Sequence, residues 1–530
     1  MEFSLTLGKY ILKVESEKNT PNASGALLTG TDIRIQLPFV ADQFYCHGWQ
    51  SWSLTAWLDT REELAPSFPV SLHASHIDLP YAFEKKPNGS WLGAVNTPDG
   101  KIILLGSLGL ESHVKYDGDS LCGSYEHGNG DWFLAYGLEQ DIFQKYAFLL
   151  GDRFGKTRLK DSPRIWCSWY SFYKEIKEST LLRIINEMGD LAFDVIQVDD
   201  GWQKKVGDWE ANEKFPSGMQ ALADSIKLTG RKAGLWLAPL IAVQSSSIFQ
   251  NHQGWLLHDA HGRLVQAGVN WHEKFFALDT THPQVLEMLA ELMQKVRTWG
   301  YDYVKLDFLF AGALPGQRYV NIPRETAYRQ GLETIRLALG DAYLLTCGAP
   351  ILPTLGLCDA IRVGPDVSDV WNLNLESRLM NNFAVPGAQN AIRTTLNRLW
   401  LKPIVHTDPD VVYFHSRNIS LSNEQKQLLK YLAYISEFKA TSDLPSWLTA
   451  SERQELQLFL TSKPEIKYIS QYKYQINGSI CDLSESIKFP KSLNWFENLI
   501  RFFIGNLANI SIAFILFDKF FSIERRKSDL

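Results

Sequence analysis

The sequence predicts a multidomain chain in which a central (β/α)8 barrel of the TIM type lies between an N-terminal β-sandwich and a short C-terminal β region. Three observations lead to this prediction. Short β-type runs separated by turn signals fill 1–158, apolar strands alternate with helical patterns over 159–450, and a few β-type runs follow over 451–490. Alternating strands and helices are typical of parallel α/β folds, and evenly spaced short strands are typical of sandwiches.

The segment 1–158 is predicted to be a β-sandwich domain because its apolar runs are short and its breaks are turn sequences. The runs include DIRIQLPFV (32–40), KIILLGSLGL (101–110) and WFLAYGLE (132–139), with PNG, PDG and DGD between runs. Gly, Pro, Asn and Asp favour tight turns. We therefore expect antiparallel strands joined by short connections.

Within 159–450, eight apolar runs are predicted as the strands of the barrel, and longer periodic segments as its helices. The predicted strands are 164–172, 194–200, 232–240, 275–279, 303–309, 343–350, 360–366 and 404–410. The predicted helices are 181–192, 284–300, 325–340 and 424–438, the third of which closes on Gly340 as a C-cap.

The C-terminal part divides into a β region at 451–490 and an apolar tail at 491–530. The tail contains RFFIGNLANISIAFILF (501–517), which is shorter than the roughly 20 residues that a bilayer span needs and is interrupted by Asn and Ser. Three interpretations stay open: an element packed on the body, a segment that contacts a membrane, and a non-native C-terminus arising from altered reading of the gene.

Composition limits the class of function. The chain has 530 residues and a formal net charge of -6, which does not fit a basic nucleic-acid-binding surface. Its six cysteines are scattered without a CxxC pair, and no His/Cys cluster suggests a metal site. Because the N-terminus has no apolar signal segment, we expect a cytoplasmic location and reduced thiols. We also expect no metal and no cofactor. The sequence does not indicate an oligomeric state.

Polar residues recur at the ends of the predicted strands. Asp199 and Asp200 end VIQVDD, Lys305 and Asp307 lie late in YVKLDFL, and Asp366 ends AIRVGPD. A single such carboxylate could be a helix N-cap. Recurrence on strand after strand instead indicates a site at the carboxyl-terminal face of a barrel, where active sites of this fold lie.

The carboxylates suggest the chemistry of glycosidic bond cleavage, which needs one acid and one nucleophile or base. Asp307 and Asp366 come from different strands, so they could form a retaining pair about 5–5.5 Å apart. Lys305 lies two residues before Asp307, on the same face of the strand. Arg362 precedes Asp366 by four residues and offers a fixed fork of donors.

Six motifs in order, WCSWYSFY, VIQVDDGWQ, GLWLAP, YVKLDFLFAGALPG, CGAP and IRVGPD, resemble glycoside hydrolase family 36, the bacterial-type α-galactosidases. The resemblance covers about residues 40–440 and includes HGWQSWS (47–53) in the N-terminal part. It implies a retaining double displacement with Asp307 as nucleophile and Asp366 as acid/base. Asp369 is a nearby competitor for the second role, but it departs from the R-x-x-x-D spacing.

The resemblance also implies a set of sugar-binding residues. Asp199 and Asp200 correspond to the pair that binds the galactose 4- and 6-hydroxyls, and Arg362 to the arginine that binds the 2-hydroxyl. The other implied contacts are Lys305, Trp236, Cys347, Gly348, Trp169, Tyr170 and Trp52.

Several of these residues have structural alternatives. Trp236 could fill the barrel, Cys347 could be a small buried apolar residue, and Trp52 could seal a domain interface. Trp169 and Tyr170 would point to opposite faces of a regular strand, so one of them could be structural. The HTDPD element (406–410) is interpreted as support for the site.

The implied activity is hydrolysis of terminal α-galactosyl residues in oligosaccharides of the melibiose and raffinose type. A galactosyl transferase of the raffinose-synthase kind and an α-N-acetylgalactosaminidase are alternatives on the same fold. A non-catalytic sugar-binding protein is a remote alternative, since both catalytic aspartates are present. The region after the barrel is shorter than the C-terminal β-domain of family members.

Overall fold

The computed structural model describes residues 2–22, 25–62, 73–157, 161–372, 382–489, 495–497 and 499–500. Nearly all of the apolar tail predicted at 491–530 lies outside the described residues. No helix in these ranges is both long and apolar enough to cross a membrane. All six cysteines are in these ranges, and none forms a disulfide.

The described residues up to 137 form two antiparallel sheets of six and seven strands. In chain order the strands are β1 (Glu2–Leu7), β2 (Tyr10–Glu15), β3 (Lys18–Asn22), β4 (Gly25–Gly30), β5 (Asp32–Gln36), β6 (Gln43–Cys46), β7 (Ala56–Asp59), β8 (Asn88–Ser90), β9 (Leu92–Asn96), β10 (Ile102–Ser107), β11 (Ser112–Tyr116), β12 (Ser120–Tyr125) and β13 (Gly130–Gly137). The spatial orders are β1-β2-β5-β12-β11-β8 and β3-β4-β13-β10-β9-β6-β7.

The two sheets share one apolar core because their strands alternate buried and exposed side chains. In β2, Tyr10, Leu12 and Val14 are buried and the residues between them are exposed. Leu105 of β10 and Trp132 of β13 belong to the same cluster. A helix, Glu139–Phe154, leads from the second sheet toward the next part of the chain.

Thirteen more strands lie in the described part of 161–441. They are β14 (Arg164–Cys167), β15 (Val195–Val198), β16 (Gln203–Lys205), β17 (Asp208–Ala211), β18 (Lys232–Leu237), β19 (Ile241–Val243), β20 (Gln266–Asn270), β21 (Glu273–Ala277), β22 (Tyr301–Leu306), β23 (Tyr343–Thr346), β24 (Ala360–Arg362), β25 (His406–Asp408) and β26 (Lys439–Thr441). Eight of them form one parallel sheet, in the order β25-β24-β23-β22-β18-β15-β14-β26. The sheet is curled, and the backbone N–H of Val412, four residues past the end of β25, donates to the carbonyl of Ala440 in β26 at 2.9 Å.

One of the eight predicted barrel strands is wrong, and one strand of the parallel sheet is not predicted from the sequence. The run predicted at 275–279 lies mostly in β21, which pairs antiparallel with β19 and β20 in a separate three-stranded sheet inserted between β18 and β22. The eighth parallel strand is instead β26, which pairs with β14. The sequence K-A-T of β26 lacks the apolar run that marks a buried strand, and only its partner makes it one.

Helices alternate with the parallel strands, and the longer ones bury an apolar face, as helix Glu178–Met188 does with Leu181, Ile184, Ile185 and Met188. The α-helices after β14 are Trp169–Phe172, Glu178–Met188, Gly218–Lys227, Ser247–Asn251, Pro283–Thr298, Arg324–Leu339, Ile351–Thr354, Ala388–Leu396 and Asn423–Ser436. Helix Arg324–Leu339 ends at Gly340, as predicted, and the positive φ of 61° there is one that glycine adopts without strain.

The C-terminal region combines a helix with three strands. Helix Ala450–Thr461 begins with a capping box between Thr449 and Glu452. The β region predicted at 451–490 therefore begins with a helix, and its strands follow as β27 (Ile466–Ser470), β28 (Lys473–Ile476) and β29 (Ser479–Asp482), in one antiparallel sheet.

Candidate active site

The predicted site residues gather at one edge of the parallel sheet. Because parallel strands all end on the same side, the residues at or just after their carboxyl ends meet there. Asp199 and Asp200 follow β15, Asp307 follows β22, and Cys347 follows β23. Trp236, Lys305 and Arg362 lie at or near the ends of β18, β22 and β24.

Asp199 and Lys305 form a buried ion pair. The Lys305 ammonium donates to Oδ2 of Asp199 at 3.0 Å, and the amide of Gln197 donates to the same oxygen at 2.6 Å. Burial disfavours the charged lysine, but the charges of Asp199 and Asp307 outweigh it and raise the pKa of Lys305 well above its usual value. Lys305 is therefore a buried cation that is hydrogen-bonded to Asp199 and stabilised by the negative charge of Asp307.

Asp200 has a separate set of donors. Gln203 donates to Oδ1 at 2.6 Å, and the indole of Trp271 donates to Oδ2 at 2.7 Å. Burial raises the pKa of Asp200, and these two hydrogen bonds oppose the rise. The adjacent carboxylates of Asp199 and Asp200 are thus held by different groups and do not share a partner.

The position directly after Asp200 requires a glycine, Gly201. Its φ is +119°, and a Cβ there would lie 2.7 Å from the carbonyl oxygen of Lys174, so a side chain does not fit. Trp202, the next residue, is fully buried and donates its indole hydrogen to the Trp236 carbonyl at 2.9 Å. Trp202 therefore packs behind the site.

Asp307 is oriented by donors on both oxygens. The Trp236 indole donates to Oδ2 at 3.1 Å, and the backbone N–H of Phe308 donates to Oδ1 at 2.9 Å. Phe308 has a φ of 54°, a left-handed conformation that is uncommon for an aromatic residue. Together the two donors keep the carboxyl group of Asp307 in one orientation.

Asp366 has a different environment. Nη1 of Arg362 lies 3.1 Å from its Oδ1, and 34% of its side-chain surface is accessible. Burial and the negative charge of Asp410 raise the pKa of Asp366 to about 7, against the opposing charges of Arg362 and Lys305. A carboxyl with this pKa is able to hold a proton near neutral pH and release it.

Arg362 is surrounded by carboxylates. Its Nε donates to Asp408 at 2.8 Å, and its Nη2 lies 2.9 Å from Asp410, in addition to the contact with Asp366. Asp410 has a φ of 77° and accepts a hydrogen bond from the Tyr170 hydroxyl. The HTDPD element thus supports Arg362 directly.

Asp369, the competitor of Asp366 for the acid/base role, has different contacts. Its Oδ1 accepts a hydrogen bond from Ser368 at 3.0 Å, and Arg362 contacts Asp366 instead. The geometry therefore agrees with the spacing argument that favours Asp366.

Trp52 reaches the site from the N-terminal sheets. Its ring packs edge-on against Phe308 with centroids 5.3 Å apart, and a Cβ on Gly348 would lie 3.0 Å from it. Gly348 also has a φ of +54°. The indole nitrogen of Trp52 is buried and has no hydrogen-bond partner among the described residues.

The motif HGWQSWS is fixed to the parallel sheet by polar contacts. The fully buried Arg398 donates to the carbonyls of Gly48, Gln50, Ser51 and Ser53 at 2.7–3.1 Å. The backbone N–H of Ser51 donates to Ala349, just after Cys347 and Gly348. These bonds hold Trp52 over the strand end that carries Gly348.

Trp169 and Tyr170 are not on a strand, in contrast to the prediction of opposite strand faces. Strand β14 ends at Cys167, and helix Trp169–Phe172 follows it directly. Tyr170 reaches the carboxylate cluster through Asp410, whereas the ring contact of Trp169 is with Tyr173, at 5.2 Å. The turn therefore brings Tyr170 into the cluster, while no hydrogen bond or ring contact within the described residues joins Trp169 to another predicted site residue.

Trp271 is part of this arrangement although the sequence does not single it out. It lies in the turn between β20 and β21, just before the run 275–279 that is predicted as a barrel strand. Cys347, by contrast, lies where predicted, and burial and the charge of Asp307 raise the pKa of its thiol well above the usual value. The thiol is therefore neutral.

The two carboxyl groups at the centre have complementary chemistry. The charge of Asp307 contributes to the raised pKa of Asp366, and the charges of both contribute to the raised pKa of Cys347, so the three side chains lie in one neighbourhood. Asp307 is oriented by two donors, whereas the pKa of Asp366 is raised to about 7. Pairs of carboxyls with such divergent environments are able to act as acid and nucleophile or base.

Comparison with known proteins finds relatives that are α-galactosidases. A family model described as Melibiase matches residues 132–338. Alpha-galactosidase AgaA from Geobacillus stearothermophilus is 27% identical over 216 residues, which are 38% of this chain and 28% of AgaA. Alpha-galactosidase Mel36A from Lactobacillus acidophilus is 25% identical over 174 residues, 31% of this chain and 23% of Mel36A. The matches thus span less than a third of either relative.

Solved structures extend the match. AgaA is 16% identical to the chain in structural alignment with a TM-score of 0.58, and shares its fold. TtGalA, an α-galactosidase from Thermus thermophilus solved with p-nitrophenyl α-D-galactopyranoside, is 42% identical with a TM-score of 0.88. That match covers 92% of this chain and 100% of TtGalA. The chain therefore belongs to the Melibiase-type α-galactosidases of glycoside hydrolase family 36.

Proposed function

We propose that the protein is a retaining α-galactosidase that hydrolyses terminal α-galactosyl residues of oligosaccharides. The observation that carries the proposal is the pair Asp307 and Asp366 at the carboxyl-terminal edge of the parallel sheet, the first oriented by two donors and the second with a pKa raised to about 7. Double displacement at a glycosidic carbon needs these two states in two carboxyl groups.

In the first step, an Asp307 oxygen attacks the anomeric carbon while Asp366 gives its proton to the departing glycosidic oxygen. The products are a galactosyl ester of Asp307 and the free alcohol. In the second step, Asp366 takes a proton from water, the water oxygen attacks the anomeric carbon, and the ester bond to Asp307 breaks. Galactose leaves with its original α configuration.

Recognition of the sugar is assigned to the groups around this pair. Asp199 and Asp200 would accept hydrogen bonds from the 4- and 6-hydroxyls, since ionised acceptors form strong bonds. Lys305 and Arg362 lie beside the two catalytic carboxyls and would donate to ring hydroxyls. The unpartnered indole N–H of Trp52 is available to a further hydroxyl.

The architecture proposed to carry the site is a (β/α)8 barrel over 159–450, with a sandwich domain at 1–158 and a β region at 451–490. The curled eight-stranded parallel sheet and the helices between its strands support this assignment. TtGalA has also been solved with stachyose, an oligosaccharide, which supports substrates of this class.

The proposal is tested by hydrolysis of a panel of aryl α-glycosides, first by the wild-type chain and then by Asp307→Ala. We expect a strong preference for the galactoside over the glucoside, loss of turnover in Asp307→Ala, and restoration by azide, which would yield the β-galactosyl azide. Asp341→Ala, at a carboxylate that is 86% exposed, is the matched control and should be fully active. Near-normal turnover of Asp307→Ala without azide would contradict the proposal.

A further inference from the structure

The hairpin of β20 and β21 has an unusual turn. Its two connecting residues are Trp271 and His272, with φ values of 52° and 63°, and Asn270 pairs with Glu273 across the ladder. Two-residue turns with both φ values positive favour Asn followed by Gly, because side chains with a Cβ are strained there. Neither residue of this turn is of that kind.

Strain of this type persists where the surroundings determine the conformation, and it is concentrated at functional sites. Here the conformation places the half-buried Trp271 indole so that Nε1 donates to Oδ2 of Asp200 at 2.7 Å. The turn also begins with a side-chain bond, since the backbone N–H of Trp271 donates to its neighbour Asn270 at 2.7 Å. The turn therefore presents the indole to one carboxylate.

The ring of Trp271 is held on its other sides by aromatic residues. Its centroid lies 5.2 Å from Phe308, 5.7 Å from Phe275 and 6.5 Å from Trp236. Phe308 and Trp236 are the two residues that donate to Asp307. Trp271 thus connects Asp200 to the residues that orient the proposed nucleophile.

The two adjacent carboxylates have unlike surroundings. Asp199 is held by Lys305, Gln197 and the thiol of Cys167, all polar groups of the parallel sheet. Asp200 is held by Gln203 and by the indole of Trp271, whose ring adds apolar surface. A hydroxymethyl group combines a hydroxyl with an apolar methylene, and so matches a carboxylate next to an aromatic ring better than it matches an ion pair.

We propose that Trp271 is a positioning residue that orients Asp200 toward the galactose 6-hydroxyl and so sets the enzyme's preference for a hydroxymethyl group at C5. This inference rests on the proposed α-galactosidase activity and deepens it. Asp199, together with Lys305, would then bind the axial 4-hydroxyl. Trp271 does not itself take part in bond cleavage; it acts through Asp200.

The test uses Trp271→Phe, which keeps a ring and removes the indole donor, with two substrates. One is an aryl α-D-galactoside and the other is the aryl α-D-fucoside, which lacks only the 6-hydroxyl. A hydrogen bond to a charged group that is lost from the transition state corresponds to about a 10- to 100-fold effect. We expect kcat/KM to fall by that factor for the galactoside and by less than about 2-fold for the fucoside.

Two further variants separate positioning from a general structural effect. In an Asp200→Asn background, adding Trp271→Phe should change kcat/KM for the galactoside by less than about 2-fold, because the two residues act as one unit. Trp255→Phe is the matched control, since its indole also donates to a side chain, Gln284 at 3.1 Å, away from the site. It should leave both substrates unaffected.

Equal losses on galactoside and fucoside would overturn the inference, because Trp271 would then act on the pocket as a whole. Unchanged kcat/KM for the galactoside in Trp271→Phe would overturn it as well. If the folded wild-type chain cleaves neither substrate, the proposed function fails, and that result is distinct from both of these.

Discussion

The indole nitrogen of Trp236 donates to Oδ2 of Asp307 across 3.1 Å, at the end of two neighbouring parallel strands. Since the backbone of Phe308 donates to the other oxygen, the carboxylate has one orientation. A tryptophan that sequence reasoning could also assign to barrel filling thus has a polar contact with the proposed nucleophile.

Replacing Trp236 by Phe should therefore lower kcat/KM for an aryl α-galactoside by about 10- to 100-fold, because a hydrogen bond to a charged group contributes about 1.5–3 kcal/mol. Steady-state kinetics measures the effect. Trp132→Phe is the matched control, since its buried indole donates to Gly30 at 3.0 Å in the N-terminal sheets. The control should lose stability and keep its activity; unchanged activity in Trp236→Phe would contradict the orientation argument.

The pH dependence of kcat/KM should follow the protonation of Asp366. With the pKa of Asp366 raised to about 7 by burial and by Asp410, the protonated form required of an acid is present below pH 7 and is lost above it. We expect kcat/KM to decline above about pH 7. Asp410→Asn removes one nearby negative charge, which should lower the pKa of Asp366 and shift this decline to lower pH.

The measurement is the pH profile of kcat/KM for wild type and Asp410→Asn, with Asp341→Asn as an exposed control. A decline that stays in place, or moves to higher pH, in Asp410→Asn would show that Asp410 does not act on the acid group. The control profile should superimpose on that of the wild type.

Arg362 should be essential for stability as well as for binding. Arg362→Met leaves Asp408 and Asp410 buried without their counter-charge, and breaking a buried pair in this way costs about 3–5 kcal/mol of unfolding free energy. The loss should shrink at low pH, because burial raises the pKa of Asp410 and its protonation then removes one of the buried negative charges. Urea denaturation at pH 8 and pH 5 tests both statements.

The comparison for this variant is Arg263→Met, whose side chain is 74% exposed and pairs with Asp259. An exposed pair contributes about 0–1 kcal/mol, so this variant should unfold nearly as the wild type does. Similar losses in the two variants, or a loss in Arg362→Met that grows as pH falls, would be inconsistent with buried charge as the cause.

Glu325 should stabilise the contact between the N-terminal sheets and the parallel sheet. It is fully buried, and it accepts hydrogen bonds from the indoles of Trp49 and Trp91 and from the backbone of Glu111 at 2.7–3.0 Å. Glu325→Ala leaves these donors unsatisfied, at about 1–3 kcal/mol each. We expect a loss of several kcal/mol in the free energy of unfolding, measured by urea denaturation.

Glu333→Ala lies on the same helix, at a side chain that is 50% exposed and pairs with Arg329, and it should change stability by less than about 1 kcal/mol. Equal effects of the two substitutions would mean that the buried bonds of Glu325 contribute little.

Local patterns place the strand ends to within two to four residues, since the predicted strands 194–200, 303–309 and 360–366 end at Val198, Leu306 and Arg362. In VIQVDD the buried strand Val195–Val198 stops where the carboxylates begin, and in YVKLDF the strand stops at Leu306, just before Asp307. An apolar run that ends in charge is a local signal, and parallel topology then brings such ends together. The positions of Asp199, Asp200, Lys305, Asp307 and Arg362 at one edge follow from these two facts.

Pairing between distant segments is not predictable in the same way. The run FFALD has the composition of a barrel strand but pairs antiparallel within the inserted sheet, and K-A-T is a strand only because β14 lies beside it. Trp271 is not predicted from the sequence either, because its turn lacks the Asn-Gly signal of a two-residue hairpin. Its contact with Asp200 joins residues 71 positions apart.

The most direct test of the account is covalent labelling of the wild-type chain with 5-fluoro-α-D-galactosyl fluoride, followed by peptide mapping by mass spectrometry. Fluorine slows both displacement steps, fluoride is a good leaving group, and the galactosyl ester accumulates. The account predicts one fluorogalactosyl group per chain, attached to Asp307, with loss of activity in proportion to labelling. A label on another residue, or complete turnover of the reagent by a mechanism that gives the β-anomer first, would contradict it.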